Sequence, residues 1–199
     1  LLQRRGQAMQ RAVPVGEGAM AALLGLDLPD VVAVAEAASG SDAVCAVAND
    51  NAPGQVVISG QKVAVEQAIE LAKEKGARRA ILLPVSAPFH CPLMQPAADA
   101  MAEALAEVKI AAPIVPVVAN VTASMVTDPE QIRALLVAQV TGMVRWRESV
   151  LYMGGEDIDT LVELGAGKVL SGLVRRINRD MAAVSVQTPA EMEAFARSL

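Results

Sequence analysis

The chain has 199 residues, 53% of them hydrophobic but only 2% aromatic, and a net charge of −5 at pH 7. That is enough Ala, Val, Leu, Ile and Met to core one domain, or one domain carrying a smaller insert, while the acidic balance and scarcity of rings disfavour a nucleic-acid partner. No uninterrupted apolar run approaches the ~18 residues of a membrane span, and Cys45 and Cys91 lie too far apart to suggest a disulfide framework or a zinc site.

The chain opens Leu1-Leu2-Gln3-Arg4-Arg5-Gly6 with no initiator methionine. It reads as starting inside a helix, so we expect a fragment and leave an upstream targeting segment open. That helix runs to about residue 13, with Arg5 and Met9 on one face, and Pro14 and Gly16 close it. Residues 18–25 form a short apolar run that predicts a buried strand, and 28–39 a helix with Pro29 in its first turn. A strand over 44–48, a turn by composition over 49–54 and a returning strand over 55–59 predict a hairpin. Residues 62–75 carry Val65, Ala68, Ile69 and Ala72 on one helical side, with Gly76 as cap, and 80–85 read as a strand. The order β-α-β-β-α-β is the split-βαβ or ferredoxin-like unit, expected as a small subdomain over 17–85.

Beyond the linker at 86–94, residues 95–108 predict a helix, 115–120 a strand, and 129–140 a helix capped by Asp128 or Thr127. A helix over 147–154, a strand over 160–164, a helix over 169–178, a strand over 184–187 and a helix from Pro189 follow. Residues 1–16 and 86–199 are thus expected to form part of a larger α/β domain.

His90 is the only histidine, in Ser86-Ala87-Pro88-Phe89-His90-Cys91-Pro92. No other side chain here has an unperturbed pKa of ~6.5, the value suited to taking and returning a proton near neutrality. The prolines fix their own φ and push the preceding residue toward an extended conformation. Locally, His90 reads either as a rigidly held base or as a histidine satisfied in the core. Cys91 is a tempting nucleophile, but neighbours in an extended segment point apart, so His90 is poorly placed to deprotonate it. Gly165-Ala166-Gly167-Lys168-Val169 suggests a phosphate loop, yet Val162 and Val169 occupy the Gly and Ser/Thr positions of a Walker A motif, which favours an ordinary strand-to-helix turn. No G-x-S-x-G elbow is present, so a complete serine-nucleophile site cannot be assembled from these residues. Arg4-Arg5 reads as a solvated pair, and Trp146 as a core or seam residue.

Taken in order, seven segments resemble the malonyl-CoA:acyl carrier protein transacylase family. They are Arg5-Gly6-Gln7-Ala8-Met9-Gln10, Gly18-Ala19-Met20-Ala21-Ala22, Asn49-Asp50-Asn51-Ala52-Pro53-Gly54-Gln55-Val56-Val57-Ile58-Ser59-Gly60, Ser86-Ala87-Pro88-Phe89-His90, Pro116 to Val121, Gln139 to Trp146, and Gly165 to Leu170. The resemblance implies an α/β-hydrolase-like acyltransferase domain with an inserted ferredoxin-like subdomain. It implies a coenzyme A thioester as substrate, no bound cofactor or metal, acyl carrier protein and malonyl-CoA as partners, and a cytoplasmic role in fatty acid synthesis. It places the nucleophilic serine upstream of Leu1. It implies that His90 is the base, oriented by the main-chain carbonyl of Gln139, and that Arg5 holds the malonyl carboxylate by a bidentate pair. Met9, Phe89 and Val169 match positions around the acyl group. Gly142 stands where the family often has a proline step, which loosens the expected placement of the Gln139 carbonyl.

Two rivals remain at this level. One is a non-catalytic carrier-protein or acyl-CoA binding module; the other is an acyltransferase domain cut from a larger polyketide or fatty acid synthase. Carrier docking would need a local basic patch, for which Lys73, Lys75, Arg78 and Arg79, or Arg175, Arg176 and Arg179, are the candidates.

Overall fold

Strand alternation in the N-terminal part builds a four-stranded antiparallel sheet in the computed structural model, which describes residues 1–198. After α1 (Leu2–Arg11) come β1 (Gly18–Leu24), α2 (Leu28–Ala38), β2 (Cys45–Ala52), β3 (Gln55–Gln61), α3 (Lys62–Glu74) and β4 (Arg79–Leu82). The strand order β2-β3-β1-β4 is that of a ferredoxin-like unit. Because successive side chains alternate across a strand, Ala21, Leu23, Val56 and Ile58 face α2 and α3 and pack on Val31, Val34, Val65 and Ala68. Full burial of each such Leu or Ile contributes about 1.5–3 kcal/mol. The opposite face carries Met20, Ala48 and Val57, and Phe89 packs against it. The sheet is therefore covered on both sides, by helices on one and by the His90 segment on the other.

The structure moves one expected boundary. Residues 49–51 were expected in a turn, yet β2 continues through Ala52 and only Pro53-Gly54 turn, with Ala52 paired to Gln55. Pro53 presets one central position and Gly54, at φ +65°, supplies the left-handed second one. Composition misled because polar Asn and Asp are poor strand formers alone. Here Asp50 is buried and answered by Arg147, and β2 is bulged at these residues.

A 3-10 turn at Pro92–Met94 leads into α4 (Gln95–Ala106). β5 (Val117–Ala119) and β6 (Ser124–Val126) form a short hairpin whose second strand is too brief to register as a pattern. α5 (Pro129–Thr141) starts at Asp128, which accepts from Gln131 N at 2.7 Å. α6 (Trp146–Gly155), β7 (Thr160–Leu164), α7 (Val169–Ile177), β8 (Ala182–Val186) and α8 (Pro189–Ala196) complete the order, with β7 and β8 paired in parallel across α7. One core joins α1, α4 and α5 through Met9, Val13, Met94, Met101, Leu105 and Val140. Another sets Trp146, Val150, Val174 and Met181 between α6, α7 and the parallel pair. Among the described residues, no helix is long and apolar enough to cross a membrane.

Candidate active site

α1 carries two adjacent arginines that the helix sends in different directions. Arg4 reaches Glu107 at the end of α4, at 3.2 Å and in solvent. Arg5 instead lines a cleft of about 220 Å³ together with Gly6, Met9, Gln10, Phe89 and His90. The apolar stripe of Ala8, Met9 and Val13 buries on α4, so α1 is held by its core face and presents Arg5 beside it. None of the ion pairs among the described residues uses Arg5.

His90 enters the cleft from an irregular turn. While Cys91 before Pro92 is extended, the φ of His90 is +58°, in the left-handed region. Such a conformation costs a non-glycine residue of order 1–3 kcal/mol and persists only where surrounding contacts hold it. Pro88 is fully buried, and Phe89 packs against both the α1–α4–α5 core and the back of the four-stranded sheet. Those anchors fix the turn on both sides of the tertiary seam.

The imidazole has a specific partner. His90 Nδ1 lies 3.0 Å from the main-chain carbonyl of Gln139, at the C-terminal end of α5. A carbonyl only accepts, so Nδ1 carries the proton in this bond and the lone pair falls on Nε2. The Gln139 side-chain amide donates to the Gly142 carbonyl at 2.9 Å, tying the helix end to the following segment. Gly142 does not loosen this corner. A Cβ at that position would lie 2.8 Å from Val121 Cγ2 and 2.9 Å from the Ala138 carbonyl, so glycine allows a close approach that any side chain would obstruct. Burial lowers the pKa of His90 below its ordinary 6.5; the Gln139 carbonyl opposes this, and the charge on Arg5 adds to it. The ring is thus neutral at pH 7 and available to accept a proton.

Of the other residues singled out from sequence, Met9 is buried at 4% exposure and lines the same cleft. Val169 does not: it is 70% exposed at the first turn of α7. Cys91 is fully buried and its thiol donates to the Pro88 carbonyl at 3.1 Å; burial raises its pKa and keeps it protonated, unlike a nucleophilic thiol. The glycine turn at 165–167 is a strand-to-helix connection whose helix start is already occupied, since the Glu163 carboxylate accepts from Leu170 N, Ser171 N and Ser171 Oγ at 2.6–3.1 Å. Gln10 is a cleft residue that sequence reasoning missed. Its amide meets Ser86 Oγ at 2.7 Å and links α1 to the His90 segment; its position next to Met9 was the available signal. A larger cavity of about 300 Å³ lies between α6, α7 and β7, but its one carboxylate is the engaged Glu163. No serine lines the His90 cleft, and among the described residues no cluster of three His, Cys, Asp or Glu side chains is placed to hold a metal.

Residues 1–193 match the family model of the acyl transferase domain. The malonyl CoA-acyl carrier protein transacylase of Bacillus subtilis is 43% identical over 198 residues, covering all of this chain and 62% of its own length. The Escherichia coli K12 protein of the same name is 47% identical over 194 residues, covering 98% and 62%. Among solved structures, an acyl-carrier-protein-S-malonyltransferase from Bartonella henselae superposes with a TM-score of 0.94 at 56% identity, over 99% of this chain and 62% of that one. A malonyl-transacylase solved in complex with a type II polyketide acyl carrier protein gives 0.93 at 39% identity, over 98% and 63%. The chain thus spans 62% of the length of the curated relatives it matches here.

Proposed function

The chain belongs to the acyl transferase domain family, and on that premise we propose that it is the C-terminal portion of a malonyl-CoA:acyl carrier protein transacylase of fatty acid synthesis. The observation that carries this reading is the pairing, in one cleft, of a carbonyl-oriented neutral histidine with an arginine that no carboxylate among the described residues engages. A non-catalytic binding module has no use for a strained, desolvated base beside a free guanidinium.

In the proposed reaction a serine from outside these 199 residues attacks the thioester carbon of malonyl-CoA while His90 Nε2 takes its proton. The tetrahedral adduct expels the coenzyme A thiolate, which takes that proton back and leaves an acyl-enzyme. The pantetheine thiol of the carrier protein then gives its proton to His90, attacks the acyl-serine, and the serine oxygen leaves with the proton returned. Gln139 supports both half-reactions by fixing the tautomer and stabilising the imidazolium by a hydrogen bond. As a neutral carbonyl, it adds no negative charge near the malonyl carboxylate. Arg5 pairs with that carboxylate, and an acetyl group would leave its guanidinium unpaired. Met9 and Phe89 bound the acyl group, with the Phe89 ring leaving no room for an α-methyl branch. Val169, exposed at the start of α7 and outside this cleft, takes no part in the scheme. The division into a small subdomain, 17–85, and the larger part, 1–16 with 86–199, belongs to the same proposal, as does action in the cytoplasm.

An acidic carrier protein would dock on α7. Arg175 and Arg179 have no ion-pair partner among the described residues, and Arg176 is engaged only by the neutral Gln55 side chain and the Pro53 carbonyl. In the rival patch Lys73 is paired with Glu70 and Lys75 with Asp30, which leaves only Arg78 and Arg79 without an ion-pair partner among the described residues.

The test uses the complete enzyme with malonyl-CoA and a phosphopantetheinylated carrier protein, read by mass spectrometry. The wild type is expected to accumulate malonyl-enzyme and to charge the carrier; His90→Ala is expected to do neither. Fast acylation of the His90→Ala enzyme would move the base elsewhere, and a wild type that binds but never acylates would favour the binding module.

A further inference from the structure

The carbonyl that orients His90 belongs to a segment that is not held by its own helix alone. Past Gly142 the chain lies along the free edge of β2: Val144 N donates to Ala48 O at 2.8 Å and Asp50 N donates to Val144 O at 2.9 Å. β2 is the outer strand of its sheet, so this edge has backbone groups to offer. Three residues past Val144, Arg147 in the first turn of α6 sends its guanidinium back to Asp50. Nε lies 2.8 Å from one carboxylate oxygen and 3.1 Å from the other, and Nη2 lies 2.8 Å from Oδ2. The Asp50 side chain is 1% exposed and that of Arg147 29%. The turn residues of the hairpin and Arg147 share a surface hollow with Asp27.

A buried ion pair is weak evidence for net stability, because desolvation offsets much of the attraction, and its best attested use is to fix a register. Here a register is what it has to fix. Every link between Asp50 and the imidazole is a hydrogen bond or a short stretch of chain: Asp50 to Val144, Gly142 to the Gln139 amide, and the Gln139 carbonyl to His90 Nδ1.

We propose that Asp50 and Arg147 are positioning residues for the acyl-transfer step: their buried bidentate pair locks the segment 142–147 on the edge of the ferredoxin-like sheet and so holds the Gln139 carbonyl at His90. This rests on the assignment of His90 as the base. The pair touches neither the acyl group nor the reacting atoms. Its effect belongs in kcat, since Arg5 and the walls of the cleft, which bind the substrate, lie on α1 and the His90 turn.

Two variants of the complete enzyme test it, with wild type and His90→Ala as controls. Asp50→Asn removes the charge pair. Arg147→Lys keeps both charges and breaks only the planar two-point geometry. Loss of the Gln139 hydrogen bond lowers the imidazole pKa, because that bond favours the protonated ring. In both variants kcat for malonyl-enzyme formation is therefore expected to fall about 10-fold, with KM for malonyl-CoA within twofold and the acid limb of the pH–rate profile displaced to lower pH. The shift in Arg147→Lys carries the discrimination, because an effect of charge alone leaves that limb in place. The variant keeps a cation over Asp50 and is the one expected to fold even if Asp50→Asn does not. An unmoved limb in Arg147→Lys, or a loss of rate that only tracks the folded fraction by near-UV circular dichroism, overturns the proposal. A wild type without His90-dependent acylation overturns the underlying function instead.

Discussion

At the scale of single residues, the proposed chemistry rests on Arg5 and His90, and the first conditions the second. The positive guanidinium disfavours the imidazolium, and burial acts in the same direction, so His90 titrates below 6.5. As the proposed base, the imidazole acts in its neutral form. Acylation by the complete enzyme is therefore expected to fall toward acid with a midpoint below pH 6.5, as the imidazole takes up a proton. In Arg5→Ala the cation is gone and the acid limb is expected to move toward higher pH. The same substitution removes the partner of the malonyl carboxylate, so malonyl transfer should lose about 10- to 100-fold relative to acetyl transfer. Equal losses for the two acyl groups, measured side by side as kcat/KM, would count against the clamp. Phe89 acts differently, as a wedge. Its ring is shared by two cores, and its value to the site lies in the rigidity it gives to the neighbouring left-handed His90.

At the scale of elements, the end of α5 is the least ordinary piece. A helix C-terminus leaves carbonyls without intrahelical partners, and this one gives the Gln139 carbonyl to the imidazole. Gly142 follows because the chain must turn against Val121 and the Ala138 carbonyl with no Cβ in the way. Gly142→Ala should destabilise the fold by about 1–3 kcal/mol through this overlap. Thermal unfolding would register a lower Tm, and the displaced carbonyl should lower kcat in the fraction that remains folded. An unchanged Tm would mean that Val121 yields without cost. Sequence alone pointed the other way here: glycine in place of proline suggested slack, because a missing Cβ says nothing about which neighbours press against the gap.

At the scale of the whole molecule, two layers meet at the site. The α1–α4–α5 core supplies Arg5, Met9 and the Gln139 carbonyl, and the back of the ferredoxin-like sheet steadies Phe89. The net charge of −5 makes docking of the proposed acidic partner depend on a local exception, and the arginines of α7 and the turn after it are the proposed one. Reversing Arg175, Arg176 and Arg179 to glutamate should raise KM for the carrier protein several-fold and flatten its dependence on ionic strength. Malonyl-CoA acylation measured without carrier should be unaffected, and an unchanged carrier KM would remove α7 from the interface.

The sequence by itself determined most of the order of elements and the ferredoxin-like unit, and it singled out His90. These are written locally, in strand alternation, in helical stripes and in the single histidine. It also pointed to Arg5, Met9, Phe89 and Gln139, but only through their joint resemblance to a family. Tertiary structure alone decided that Arg5 faces the cleft while Arg4 faces solvent, and that Asn49 to Asn51 extend a strand instead of turning. It also decided that His90 is left-handed, and that Asp50 meets Arg147 across 97 residues of chain. Each of these turns on a partner distant in sequence. The free energy of burying a charge or holding a strained φ depends on what that partner supplies, and no local pattern records it.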